Sequence, residues 1–410
     1  MRSAVDNPFS PGSDVVPNIW AGRVEQLSDW RDVVRPRRVA GLYERGRTIL
    51  GEPGTGKSSL VRRIARDAVA SGDWVTPQLR IPSGADPLKL VAGAVLRLVE
   101  QAGIASGATG RVVELLRRVE TVAASGFSLT VRGGDGPEPF TALYELLVEV
   151  GRAAVRQGNA VLIHVDEVQN ITDERALSQL LIALGDALTH TVEVEVPGGR
   201  LVERHLPIAV YLTGLPDFED MAGARKGATF ARRFRTSALT ALGEDDLRAA
   251  LQPLIVSGWV VPDGAGETKS ITLDALAADA VVQLCCGEPF LFQLAGERAW
   301  YAGSGDVVTA DEVTAGWRGA EGEASSHVER VLARLPQKER TFVDVMAAMR
   351  PEDRTLTRIA REMGEASAQA VGPTAQRLDT VRGVIERGKP YSFRNRAVEA
   401  YLTSDWPRVG

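Results

Sequence analysis

Gly51-Glu52-Pro53-Gly54-Thr55-Gly56-Lys57-Ser58 is the stretch that decides how this chain is read. It fits G-x-x-x-x-G-K-[ST] at every position. It also stands after a short strand pattern, Arg47-Thr48-Ile49-Leu50, and before a helical one, Ser59 to Val69. The glycines let the backbone wrap an anion with successive N–H groups turned inward. A helix starting near Lys57 adds the positive end of its dipole, and Lys57 adds a full charge for the outer phosphates of a triphosphate. Ser58 offers a hydroxyl to magnesium. Residues Gly51 to Ser58, with Ser59 behind them, are therefore the expected nucleotide-binding residues, with ATP and Mg2+ as the expected ligands.

A second stretch, Val161-Leu162-Ile163-His164-Val165-Asp166-Glu167, supplies the acidic half. The apolar run from Ala160 to Val165 is of the kind buried on both faces of a parallel sheet. It delivers two carboxylates at its C-terminal end, where ligands bind in open α/β sheets. Asp166 is expected in the magnesium shell, and Glu167 as the group that orients and polarises an attacking water. Acidic residues also end strands simply by meeting solvent; the complete loop at 51–58 favours the chemical reading. Tyr211-Leu212-Thr213-Gly214 ends the next strand, which makes the Thr213 hydroxyl a candidate partner for the γ-phosphate or its water. Thr is common in strands for its β-propensity alone as well. Phe230-Ala231-Arg232-Arg233-Phe234-Arg235 sets three guanidinium groups between and beside two aromatics. At a subunit edge, Arg233 or Arg232 could reach a neighbour's nucleotide and stabilise charge in the transition state. A solvated helix face with ion pairs has the same composition.

With 410 residues, 44% of them apolar and 25% charged, the chain is long enough for two or three globular domains. No run of about 18 uncharged apolar residues occurs, so no membrane span is expected. Met1 to Ser13 carries Pro, Asp and Asn in place of the basic flank and apolar stretch of a secretory signal. The two cysteines, Cys285 and Cys286, are adjacent, and His164, His190, His205 and His327 have no metal-ligand spacing. Neither a disulfide framework nor structural zinc is expected, and the cytoplasm is the default compartment. A net charge of −5 excludes a uniformly basic protein and leaves room for a local basic surface.

Outward from the loop, strand patterns alternate with helical ones. Trp74 to Ile81 reads as a strand stopped by Pro82, and Ile208 to Leu212 as another. Pro87 to Gln101, Arg111 to Ala123 and Thr141 to Arg156 have helical periodicity. The alternation predicts an α/β core with a parallel sheet. Thr191 to Leu206 alternates around Pro-Gly-Gly and predicts a hairpin turning at 197–199. From Glu244 to about Gly322 the pattern is mostly helical, and residues 1–18 read as an extended lead-in.

These pieces stand in the order found in AAA+ P-loop ATPases, and the chain resembles the clade of origin-recognition initiators, archaeal-type ATPases and STAND switches. Gly51 to Ser58 and Asp166-Glu167 match its Walker A and Walker B motifs. Ile19-Trp20-Ala21-Gly22-Arg23 is similar to the hydrophobic-x-Gly-Arg segment that flanks the adenine, and Gly287-Glu288-Pro289 to the Gly-x-Pro segment of the helical lid. The resemblance implies that Gly22, Arg23 and Pro289 border the nucleotide, that Thr213 is sensor 1, and that Arg233 is the arginine finger. It implies an extended segment at 1–18, an α/β nucleotide-binding domain at 19–240, a helical lid at 241–330 and a winged helix at 331–410. No arginine stands beside Gly287 where initiator lids carry sensor 2; Arg298 lies about three helical turns away.

The C-terminal stretch gives two readings. Gln337 to Met349, Leu356 to Met363 and Ala368 to Val381, followed by strand patterns at Val384–Arg387 and Tyr391–Arg394 around Gly388-Lys389-Pro390, have the order of a winged helix. Residues 336–410 hold 13 Lys/Arg against 10 Asp/Glu, and Arg377, Arg382, Arg387, Lys389, Arg394 and Arg396 are the candidate contacts to double-stranded DNA. The first reading is a slowly hydrolysing, DNA-associated ATP switch that self-associates when ATP-bound. The second is a STAND-like signalling or defence scaffold whose winged helix meets protein, although the long C-terminal repeat array of such scaffolds is not present. A metabolic kinase would need an acceptor-substrate pocket that nothing in the chain suggests.

Overall fold

The structure is a computed structural model that describes residues 2–12, 15–101, 139–221, 232–263 and 267–410. The helix expected over 111–123 and Phe230 of the arginine cluster lie outside the described residues. The chain forms two compact units, one of residues 24–50 and 60–237, the other of residues 1–23, 51–59 and 238–410.

The first unit is built on a sheet of β1 (Gly46–Leu50), β2 (Trp74–Val75), β3 (Leu79–Arg80), β4 (Val161–Asp166), β7 (Ile208–Gly214) and β8 (Phe234–Ala238). Its order is β2-β4-β7-β1-β8, with β3 also on β4, and β1–β7, β4–β7, β2–β4 and β3–β4 all run parallel. Every residue of β1, β4 and β7 is buried, and most of β4 and β7 is apolar, as central strands of a parallel sheet require. Val161, Ile163 and Val165 pack with Leu143 and Leu147 of the Pro139–Gln157 helix and with Leu180 and Leu184 of the Glu174–Thr189 helix. The Trp74–Ile81 strand proves to be two short ones, each paired to a different part of β4. The expected hairpin forms between β5 (Thr191–Val196) and β6 (Arg200–His205), with its turn at 197–199.

The strand order places three strand ends side by side. Leu50 pairs with Gly214 and Val165 with Leu212, so Asp166 and Thr213 lie at the same edge as the end of β1, from which the chain runs directly into Gly51. β1 is the first strand and sits against β7 and β8, late strands, which makes this edge the topological switch point of the sheet.

The second unit is a helical assembly with one continuous core, in which Leu251, Val281, Phe292, Leu294, Trp317, Val328, Phe342, Ile359, Leu378 and Val398 are all buried. Its first half, expected to be mostly helical, also contains β9 (Trp259–Asp263) and β10 (Glu267–Leu273), an antiparallel pair, with β11 (Val307–Val308) parallel to β10. The β-branched content and alternation of 268–273 carried that signal beneath the neighbouring helix patterns. Toward the C-terminus, helices Gln337–Ala348, Leu356–Glu362 and Ala368–Thr380 precede an antiparallel pair, β12 (Ile385–Glu386) and β13 (Ser392–Phe393), shorter than the four-residue strands expected there. A final helix, Arg396–Thr403, follows. The described part of the N-terminal segment holds no helix or strand, but it is anchored: Arg2 donates to the carbonyls of Gly305 (2.9 Å) and Val307 (2.6 Å) and to Glu312 (2.9 Å). Gly296 leaves room for the Phe9 ring, which a Cβ there would meet at 2.3 Å.

Cys285 is buried in this unit, and burial pushes its thiol up to about 12 and that of Cys286 up to about 11. At pH 8 Cys286 should therefore alkylate with iodoacetamide on the order of a hundredfold more slowly than a free cysteine and Cys285 on the order of a thousandfold more slowly, and denaturant should abolish the difference.

Candidate nucleotide site

Four features hold the loop at 51–58 in shape. Gly54 and Gly56 adopt φ of +85° and +83°, a left-handed backbone that side chains resist. Gly51 is hemmed in, since a Cβ there would come within 2.6 Å of the Thr55 hydroxyl. Thr55 Oγ1 donates to the Glu52 carbonyl at 2.8 Å. Lys57 Nζ donates to the carbonyls of Gly51 (2.8 Å) and Glu52 (3.0 Å), so the lysine is folded over its own loop. The helix begins at Lys57, which directs its first free N–H groups at the loop.

Gly22 and Arg23 reach the same loop. Both are left-handed, at φ +61° and +62°, and Arg23 Nη2 donates to the carbonyls of Thr55 (3.0 Å) and Thr240 (2.8 Å). Burial lowers the Arg23 guanidinium to about 10, against the pull of Glu288 and Asp246, so it stays charged at neutral pH. Pro289 opens the Pro289–Ala302 helix beside Gly56, 3.9 Å from where a Cβ would stand.

The acidic strand end is a network in its own unit. Thr213, fully buried, donates its hydroxyl to Asp166 Oδ1 and is bonded in turn to His164 Nε2 at 3.0 Å. Burial lowers His164 to about 4, so the ring is neutral and its Nε2–H can donate to Thr213. Asp166 Oδ1 also accepts from the Glu167 N–H at 2.9 Å, and Oδ2 accepts from Gln78. Glu167 has φ +59° and ψ +40°, a conformation that costs a non-glycine residue about 1 kcal/mol and is a mark of sites under functional constraint. Its carboxylate accepts from Gln169, whose amide oxygen accepts from the Leu215 N–H at 3.0 Å.

Gln78 and Gln169 were not legible as site residues. Gln78 reaches Asp166 only because β3 pairs with β4, a contact 88 residues apart in sequence. Gln169, two residues after Glu167, carried a local signal that composition alone does not separate from an ordinary loop.

Arg233 is the first of the cluster to be accounted for: it pairs with Asp186, and Gly185 makes room for it, since a Cβ there would meet its Cδ at 2.7 Å. Arg235 lies 3.6 Å from Asp29, while Arg232 is exposed. The run from Phe234 forms an edge strand and not a helix face, because alternating Phe234, Thr236 and Ala238 suit a strand of which only Phe234 is fully buried. Among the candidate DNA contacts, Arg377 and Arg382 pair with Glu339 at 2.9 and 3.0 Å, Arg387 and Arg394 with Asp379 at 2.9 and 2.7 Å, and Arg396 with Glu244 at 2.7 Å. Lys389 is exposed.

No protein-family model and no curated protein matches the chain by sequence. Solved structures do match along nearly its whole length. The ORC2 protein of Aeropyrum pernix, in ADPNP–ADP complexes, is similar at 15% identity over 98% of this chain and 95% of that one, with a TM-score of 0.53. The chain has the AAA+ P-loop fold. A Walker-type ATPase of Pyrococcus abyssi (13% identity, 96% and 98% covered, TM-score 0.49) and the A. pernix ORC1 protein in complex with DNA (15%, 95% and 94%, 0.41) are also similar. In this AAA+ core the phosphate-loop motif follows β1 and the acidic pair ends β4. Among the described residues no cluster of three or more His, Cys, Asp or Glu could hold a metal alone, and no helix is long and apolar enough to cross a membrane.

The loop's donor set fits a nucleoside triphosphate: a left-handed glycine cradle, an ammonium and a serine hydroxyl. Asp166, held by neighbours within its own unit, is a carboxylate of the type that binds magnesium. Thr213→Val removes the donor that joins His164 to Asp166. It should cost about 1–3 kcal/mol of stability in urea unfolding, because it leaves buried polar groups unpaired.

Proposed function

We propose that the chain is an ATP-binding and ATP-hydrolysing switch. The reading rests on one observation: a complete phosphate loop with both left-handed glycines follows the strand whose end is level with Thr213 and Asp166. The complexes of the A. pernix ORC2 protein with ADPNP and ADP support it. Residues 51–59 cradle the phosphates through backbone N–H groups, with Lys57 turning from its loop carbonyls to the outer phosphate oxygens. Gly22, Arg23 and Pro289 border the base and sugar. Ser58 and Asp166 hold magnesium, which when bound neutralises phosphate charge. Glu167, fixed through Gln169, orients the attacking water, and Thr213 holds Asp166 in register.

The finer reading is a DNA-associated switch that assembles through an arginine finger. We assign a nucleotide-binding domain to 19–240, a lid to 241–330 and a winged helix to 331–410, the last from its three helices and following strand pair. For the finger, Arg233 must leave Asp186, while exposed Arg232 needs no such release. The alternative scaffold reading has its own support. Five of the six candidate DNA contacts are engaged in ion pairs. The outer face of the Ala368–Thr380 helix shows Gln369, Ala370, Pro373, Gln376 and Thr380, without charge.

Lys57→Ala should abolish nucleotide binding in a filter or fluorescence assay. Glu167→Gln should retain binding and lower phosphate release at least about a hundredfold; turnover at the wild-type rate would remove Glu167 from the mechanism. For DNA, titrating the full chain against duplex at rising salt separates the two readings. Salt-sensitive binding weakened by Lys389→Ala supports the winged helix on DNA, and no binding at low salt supports the scaffold.

A further inference from the structure

The phosphate loop contains a carboxylate. Glu52 is only 6% exposed and sits at the second position of a cradle built for anions. An unscreened carboxylate there would repel a phosphate tail across a short, poorly hydrated distance. Arg334 answers it. Its Nη1 lies 2.6 Å from Glu52 Oε2, in an ion pair with side chains 26% and 8% exposed.

Arg334 caps the helix Glu321–Ala333, and the same helix brings a second side chain to the loop. His327 packs against Gly54 so closely that a Cβ there would meet its Cε1 at 2.5 Å. The imidazole stacks on Phe290 with centroids 4.9 Å apart and lies 3.7 Å from Glu288. Two residues beyond Arg334, Pro336 caps the helix that opens the C-terminal segment. One helix thus touches the cradle at two points and leads straight into residues 337–403.

We propose that Arg334 is a positioning residue of the phosphate loop: by neutralising Glu52 it makes the cradle receptive to the polyanionic tail of a nucleoside triphosphate, and it ties that receptivity to the placement of the C-terminal segment. This rests on the nucleotide reading of the loop. Any displacement that draws Arg334 from Glu52 removes this counter-charge from the cradle and weakens nucleotide binding. Conversely, bound phosphate holds Arg334, and with it the helix, in place.

The test is a titration of the full chain with a fluorescent ATP analogue and magnesium, across wild type, R334A, R334K, E52Q and the R334A/E52Q double variant. Arg334→Ala should weaken binding on the order of tenfold or more, and Arg334→Lys should keep most of the affinity. Glu52→Gln should bind at least as tightly as wild type. The double variant should return to within about threefold of E52Q, a rescue that a merely structural role for Arg334 would not give. Binding is read only on variants whose circular dichroism matches wild type; should R334A not fold, R334M against R334K supplies the comparison, and equal affinities there overturn the proposal. A double variant as weak as R334A, or an R334A that binds like wild type, also overturns it while leaving the nucleotide reading intact. A wild-type chain that binds no nucleotide overturns both.

Discussion

Wrapping a polyanion in backbone N–H groups forces part of a loop into left-handed conformation, and the residues packed around the loop answer that demand. Gly54 and Gly56 meet it at φ +85° and +83°. No other residue type would adopt both without strain of about 1 kcal/mol or more each. Around them, Gly22 and Arg23 are left-handed too, and the Arg23 guanidinium donates to the carbonyls of Thr55 and Thr240. The Thr55 carbonyl is thereby satisfied, as Lys57 satisfies those of Gly51 and Glu52.

Charge is placed with equal economy elsewhere. Asp166 is 1% exposed; its oxygens accept from Thr213, Gln78 and the Glu167 N–H, and the Arg80 guanidinium lies 4.0 Å away. His164 stays neutral because burial outweighs the attraction of Asp166. In the C-terminal segment, by contrast, guanidiniums are paired with carboxylates: Glu339 and Asp379 each take two arginines. These pairs knit helices to strands, and they explain why a surplus of basic residues in the sequence does not translate into an equally basic surface.

The parts legible in the sequence were those fixed by local pattern. The phosphate loop has a complete motif, β4 and β7 are largely apolar runs, and the 191–206 hairpin announces itself through alternation around Pro-Gly-Gly. What pattern did not give was whatever depends on pairing across long separations. Trp74 to Ile81 divides into two strands because each half meets a different stretch of β4. The β9–β10 pair was hidden because its neighbours on either side are helical. Gln78, His327 and Arg334 reach their partners over 88, 273 and 282 residues, and no local signal marks such residues as part of a site. For the arginine run at 232–235 a helix face stayed open as the alternative to an arginine finger, because charge clusters look alike in a strand and a helix until the edge of the sheet is known.

The most direct measurement of the central claim is a crystal of the full chain grown with a non-hydrolysable ATP analogue and magnesium. The account predicts triphosphate density against the N–H groups of residues 54–58, with Lys57 turned from the Gly51 and Glu52 carbonyls toward the outer phosphate. Density elsewhere, or a cradle still closed by Lys57 at saturating analogue, would contradict it.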